Sequence, residues 1–213
     1  MNRSGKTLKQ FTLLTLALGL ALQASAQEMP TQSKTNVVIA SDPKFVELQS
    51  PDVNVGGANK KFRAKDWLEI EVALDVKKWN PKPQDDYIDS LTIKWWVVVK
   101  GQDRKTYLIE KVVQHINIPT DETSVVSVYL SPNTLKRITG KDSASKGDLE
   151  AVGGQVDSGG EMVGFFSHGM KAGWWVKDLG SVVRTSKFPL LNKDETPFKT
   201  YWYDRYAEIM PKK

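Results

Sequence analysis

Asp66–Val76, DWLEIEVALDV, is the stretch on which the fold turns. Leu68, Ile70, Val72, Leu74 and Val76 alternate with Glu69, Glu71, Ala73 and Asp75, the period of two of a strand with one buried face. The same alternation sends Glu69 and Glu71 to a face expected to meet water. Ser90–Lys100, SLTIKWWVVVK, repeats the pattern in Leu91, Ile93, Trp95, Val97 and Val99, while Trp96 and Val98 add apolar groups to the opposite face. This reads as the most central strand. After Gly-Gln-Asp, KTYLIEKVVQHINI answers it across a short turn, so the two runs read as a hairpin.

Working outward, short strands are expected at Asn36–Ala40 and Lys44–Gln49, separated by Ser-Asp-Pro. The proline forbids a continuous central strand and predicts an edge strand broken by a turn. Glu122–Leu130 is a further strand. SPNTLKRITG follows with helix punctuation: Ser131 as N-cap, Pro132 at the first helical position and Gly140 just past the end. DLEAVGGQVDSGGEMVGFFSHGM predicts two strands with a hairpin at Asp157–Gly160, and GWWVKD and SVVRTS are the remaining strands. Eight or nine short strands without alternating helices argue for an antiparallel β-sandwich. In TPFKTYWYDRYAEIM, Phe198, Tyr201, Trp202 and Ile209 recur near a helical period after Thr196 and Pro197, so a short amphipathic C-terminal helix is expected.

The chain has 213 residues, enough for one sizeable domain. Residues 1–26 read as a cleavable secretory signal: Arg3, Lys6 and Lys9 precede FTLLTLALGLAL, and Ala24-Ser25-Ala26 closes it. The apolar run of about twelve residues is shorter than the ~20 of a spanning helix, so no transmembrane anchor is expected after cleavage. The polar residues 27–34 should stay mobile, leaving 35–213 as a single domain. The signal carries three of the 30 basic residues and none of the 25 acidic ones. The mature chain therefore has 27 basic against 25 acidic residues, a net +2, which argues against nucleic acid as a partner. With no cysteine, an exported protein must rely on a packed core rather than disulfides. Export points to the periplasm or cell surface of a Gram-negative-type bacterium.

Catalytic and cofactor patterns are missing from the sequence. His115 and His168 are far apart and lack zinc-ligand spacing. Asp85, Asp86 and Asp89 lie in a Pro-rich loop without the glycine and terminal glutamate of a calcium loop. Ser158 and Ser167 lie in no nucleophile elbow. Gly153, Gly154, Gly159 and Gly160 have no following Lys-Ser/Thr and read as turn glycines. Glu69 and Glu71, about 7 Å apart by strand rise, have a separation compatible with an inverting glycosidase, yet alternating acids on an exposed sheet face are ordinary. No enzymatic activity, metal or cofactor is therefore expected.

Tryptophan is the distinctive residue, with seven in all, including the pairs Trp95-Trp96 and Trp174-Trp175. On strands each pair would place one indole inside and one outside. An outer indole needs cover by protein, or it can stack on a sugar ring. Trp95, Trp96, Trp174, Trp175, Tyr201, Trp202 and Tyr203 are the candidate contact residues.

The cysteine-free sandwich, DWLEIEVALDV, DSLTIKWWVVVKG and the tail TPFKTYWYDRYAEI together resemble the small secreted immunoglobulin-like proteins encoded beside type IV pilus assembly genes in mucin-dwelling verrucomicrobia. The resemblance implies an immunoglobulin-like β-sandwich and an accessory role in pilus formation through contacts with envelope or pilus-assembly proteins. The alternative is a carbohydrate-binding module that stacks glycans on exposed tryptophans.

Overall fold

The structure, a computed structural model, describes residues 28–33, 37–52, 63–77, 86–143 and 145–211. The expected signal peptide, most of the link after Asp52 and the Pro-rich loop through Asp85 lie outside the described residues. The elements are β1 (Val37–Ala40), β2 (Lys44–Gln49), β3 (Asp66–Lys77), β4 (Tyr87–Lys100), β5 (Thr106–Pro119), β6 (Ser124–Leu130), α1 (Pro132–Thr139), β7 (Leu149–Ser158), β8 (Glu161–His168), β9 (Val182–Arg184) and β10 (Leu191–Asn192). They form two sheets packed face to face, an immunoglobulin-like β-sandwich.

In the first sheet β3 pairs with β6, and β10 lies on the far side of β6. Beyond β3, β1 and β2 form one interrupted edge: β2 pairs with residues 66–71 of β3 and β1 with residues 74–77. Ser41 spans the interruption, its backbone N–H donating to Ala73 O and its hydroxyl accepting from Ala73 N–H at 3.0 Å. The second sheet runs β8-β7-β4-β5-β9 and is antiparallel except for β9, which lies parallel to β5. β4 sits at its centre, as its apolar sequence demands.

Leu68, Ile70, Val72, Leu74 and Val76 of β3 face Leu91, Ile93, Trp95, Val97 and Val99 of β4 across a single buried core. Each such side chain contributes about 1.5–3 kcal/mol by leaving water. Helix α1 carries the chain from the first sheet to the second, with Leu135 and Ile138 buried. Its signals act as read: the Ser131 hydroxyl accepts from Thr134 N–H at 3.2 Å, and Gly140 adopts the left-handed conformation.

Several expectations are corrected. Gly153 and Gly154 are not turn glycines but lie within β7, where a Cβ at Gly153 would come within 2.5 Å of Trp175 and one at Gly154 within 1.9 Å of Phe166. Only Gly159 and Gly160 occupy the hairpin turn, both with positive φ. GWWVKD is not a strand: Trp174–Val176 is one turn of 3-10 helix. Near the N-terminus, Ser33 N–H donates to Met162 O and Gln32 Nε2 to Val163 O. Among the described residues no C-terminal α-helix forms either; residues 196–211 are short turns, a single 3-10 turn at Tyr203–Arg205 and extended chain. Trp202, at a positive φ of 50°, breaks any helical course there, and the segment satisfies its backbone on two sheet edges instead.

Candidate contact site at the C-terminal segment

The site is built on the outer face of the first sheet. Glu69 and Glu71 project from β3 away from the core, beside Ser127 and Tyr129 of β6. Contrary to expectation they do not meet water: Glu69 is 2% exposed and Glu71 is also buried. A buried carboxylate must be hydrogen-bonded or paired, and the C-terminal segment supplies the partners.

That segment is fastened in stages. Asn192 and Glu195 close a capping box, the Asn192 side chain accepting from Glu195 N–H and the Glu195 carboxylate from Asn192 N–H. Glu195 also receives Lys111 Nζ from β5 at 2.5 Å. Phe198 then buries its ring against Trp67, edge to face at 5.6 Å, and Tyr129, stacked at 5.7 Å. Lys193 is buried with its ammonium donating to Lys199 O at 3.1 Å and Tyr201 O at 2.7 Å, and it lies 4.7 Å from the Tyr206 ring centroid. Burial pushes the Lys193 pKa down, against the raising influence of Glu69 and Asp194.

Beyond the turn, Tyr129 and Tyr206 hydroxyls both donate to Glu69 Oε1, at 2.6 and 2.8 Å. Arg205 forms a two-pronged pair with Glu71, Nη2 to Oε1 at 2.8 Å and Nη1 to Oε2 at 2.7 Å. Burial first, and then the Glu69 charge, raise the pKa of Tyr129 and Tyr206. The Glu71 hydrogen bond raises that of Arg205. The phenols stay protonated donors at any ordinary pH.

The chain finally crosses from one sheet to the other. Ala207 N–H donates to Val125 O of β6, while Ile116 N–H donates to Glu208 O and Met210 N–H to Gln114 O of β5. The strap thus occupies backbone groups on an edge of each sheet. Under it His115 is buried, its Nδ1 3.2 Å from Ala207 O. Burial drives the His115 pKa down to about 4, against raising contributions from the Ala207 and Glu208 backbone and Asp194. The imidazole is neutral at pH 7.

This fastening leaves Tyr201, Trp202 and Tyr203 at a crest, with Trp202 55% exposed. The left-handed conformation of Trp202 is uncommon for a bulky residue. The other four candidates are not brought to it. Trp95 is wholly inside the core, tilted against Phe166 at 4.7 Å. Trp96 faces outward as its position in β4 requires, but stacks on Trp175 at 5.3 Å and 9°. Trp174 and Trp175 are both buried on the outer face of the second sheet, with Val98, Leu108 and Ala151. These four indoles have protein cover and do not form an open sugar platform.

Tyr129, Lys193, Arg205 and Tyr206 escaped the sequence reading, and Glu69 was read only as a solvent-facing acid. The only local signals were an acid pair with strand spacing and basic and phenolic residues in the tail, which sequence distance kept apart. Among the described residues no group of three His, Asp or Glu side chains is placed to hold a metal ion, and no helix is long and apolar enough to cross a membrane.

One family model matches the chain continuously over residues 29–213. The chain belongs to that family. A crystal structure of a protein from Akkermansia muciniphila, a verrucomicrobium, superposes with a TM-score of 0.77 at 36% identity, over 84% of this chain and 95% of that one. The resemblance to the immunoglobulin-like proteins of mucin-dwelling verrucomicrobia therefore holds for both family and fold. A comparison with curated proteins finds no match.

Proposed function

We propose that this protein is a non-enzymatic component of the bacterial cell envelope, exported with cleavage after Ala26, and an accessory of type IV pilus formation that works through protein–protein contacts. The observation that carries the reading is the crest at Tyr201–Tyr203. Aromatic side chains left open on a rigidly anchored turn are the composition and placement of an interface anchor. Lys193 holds two carbonyls of the turn and Arg205 ties its far end to Glu71, so little conformational entropy remains to be lost on docking. Kinship with a verrucomicrobial protein supports the bacterial setting.

The test is a photo-crosslinking amino acid at position 202 in living cells, with position 112 on β5 as the exposed control. Adducts with a pilus-assembly or envelope protein from position 202 alone are expected. Identical adduct patterns from both positions would refute the reading. N-terminal sequencing of the periplasmic form should begin at Gln27.

A further inference from the structure

Beside the crest lies a groove of about 360 Å³ at one end of the sandwich, within the size range of small-molecule sites. One wall is Tyr87, Asn117 and Pro119, where β4 begins and β5 ends, continued by Glu122 in the turn to β6. The other is Tyr203, Asp204 and the strap through Ile209. We propose that this groove binds a neutral sugar residue of a glycan.

Three observations carry the assignment. The first is aromatic. Tyr87 and Tyr203 are 60% and 68% exposed, whereas Tyr129 and Tyr206 are engaged with Glu69 and Tyr107 with Phe188 and Asp103. Open phenol faces offer the electron-rich surface that the C–H face of a pyranose stacks upon.

The second is the sorting of polar groups. Lys193 is committed to two carbonyls, Arg205 to Glu71, and Glu208 to the Asn117 side-chain amide at 3.0 Å. The Tyr87 and Tyr203 hydroxyls and the Glu122 and Asp204 carboxylates have no partner among the described residues. Of the three cations lining the groove, Lys193 and Arg205 are occupied and Lys199 lies 3.9 Å from Asp194, while the other groups left over are acceptors and phenols. Sugar hydroxyls are donors and acceptors without charge, and they match that remainder.

The third is rigidity. Two of the three described non-glycine residues with positive φ, Asn117 and Trp202, flank the groove. At Asn117 the β4–β5 ladder pairs Ile88 with Ile118 and Ser90 with Ile116 but omits the residue between. Its amide reaches across to Glu208 and ties the two walls together. Backbone strain held in place by surrounding structure is a mark of binding sites, and a preformed groove avoids the ordering cost of closing around a ligand.

The assignment does not rest on the protein-contact reading, although Tyr203 belongs to both surfaces: crosslinking is read at position 202 and sugar binding at Tyr87, Asn117 and Glu122, so either can fail while the other stands. The experiment is a two-dimensional NMR titration of the mature protein with neutral oligosaccharides built from galactose, N-acetylglucosamine or N-acetylgalactosamine, free in one arm and attached to a peptide in the other. Saturable shifts at Tyr87, Asn117, Glu122 and Asp204, persisting in high salt, are expected in at least one arm. Tyr203→Ala should weaken binding about tenfold, the scale of one aromatic contact, and Val112→Ala should leave it unchanged. Both positions are exposed, so each variant should keep the parent spectrum elsewhere. The proposal is overturned by the absence of saturable shifts across the panel. It is equally overturned by sugar shifts that survive intact in the Tyr87→Ala/Tyr203→Ala double variant, or by binding confined to cationic peptides and abolished by salt.

Discussion

The two outer faces of the sandwich are both covered by the chain's own C-terminal half, but by opposite chemistry. On the second sheet the cover is apolar: Trp174 and Trp175 lie on Trp96, Val98, Leu108 and Ala151, and the two covering indole N–H groups have no partner among the described residues. On the first sheet it is polar. Glu69 and Glu71 are matched to Tyr129, Tyr206 and Arg205 at 2.6–2.8 Å. Apolar cover is roughly proportional to area and tolerates imperfect fit. Polar cover is all or nothing, since removing one partner strands the others in a dry place.

The contrast is broken most forcefully at its polar centre. Glu69→Ala should destabilise the protein by about 3–5 kcal/mol, because the buried Tyr129 and half-buried Tyr206 hydroxyls lose their common acceptor and the Lys193 ammonium its nearby counter-charge. Urea unfolding would measure this, and a loss below about 1 kcal/mol would mean the carboxylate is not an organising group. Acid should act beneath the same C-terminal strap through His115, which lies on β5 of the second sheet. Its folded pKa of about 4 lies below the ordinary 6.5, so between those values the unfolded chain takes up a proton that the folded chain refuses. Stability is complete above pH 6.5, falls as pH drops towards 4 and levels below it, by roughly 3 kcal/mol in all. Comparing urea midpoints of the parent and His115→Gln at pH 7, 5 and 4 isolates this slope from that of the carboxylates.

On the apolar face the matching test is Gly153→Ala. The new methyl meets the Trp175 ring, and overpacking should cost about 1–3 kcal/mol, with a changed near-ultraviolet tryptophan dichroism. Arg205→Lys keeps a charge but loses the two-pronged geometry, and at a half-exposed position should cost only about 1 kcal/mol. The smallest effect is expected at the crest. In Trp202→Gly, relief of the left-handed strain of about 1 kcal/mol is offset by the added freedom of glycine in the unfolded chain. Thermal unfolding should therefore stay within about 0.5 kcal/mol of the parent, while capture of the proposed envelope partner should be lost. A variant that bound normally would remove Trp202 from the contact.

Period-two alternation was enough to place β3, β4, β5 and β6, because a one-residue slip would turn every core side chain outward. The start and stop of α1 were equally plain, since Ser131, Pro132 and Gly140 act through their own backbone neighbours. The site was half legible. Tyr201, Trp202 and Tyr203 stood out as an aromatic run and are exposed together, but their periodicity suggested a helix that the tertiary edges pre-empted. One tryptophan pair misled for the same reason. Trp95-Trp96 obeys strand geometry, whereas Trp174-Trp175 sits on a 3-10 turn that buries both rings in one cluster.

From the sequence alone came two layers, their inward faces and the helix between them, because each rests on contacts a few residues long or on a repeating pattern. Tertiary structure alone decided that Glu69 and Glu71 are buried. Their partners Arg205 and Tyr206 lie more than 130 residues away, and no local propensity records which distant segment will cover a charged face. Burial is a property of the neighbour that arrives, and the same Glu-x-Glu would read identically had the strap folded elsewhere.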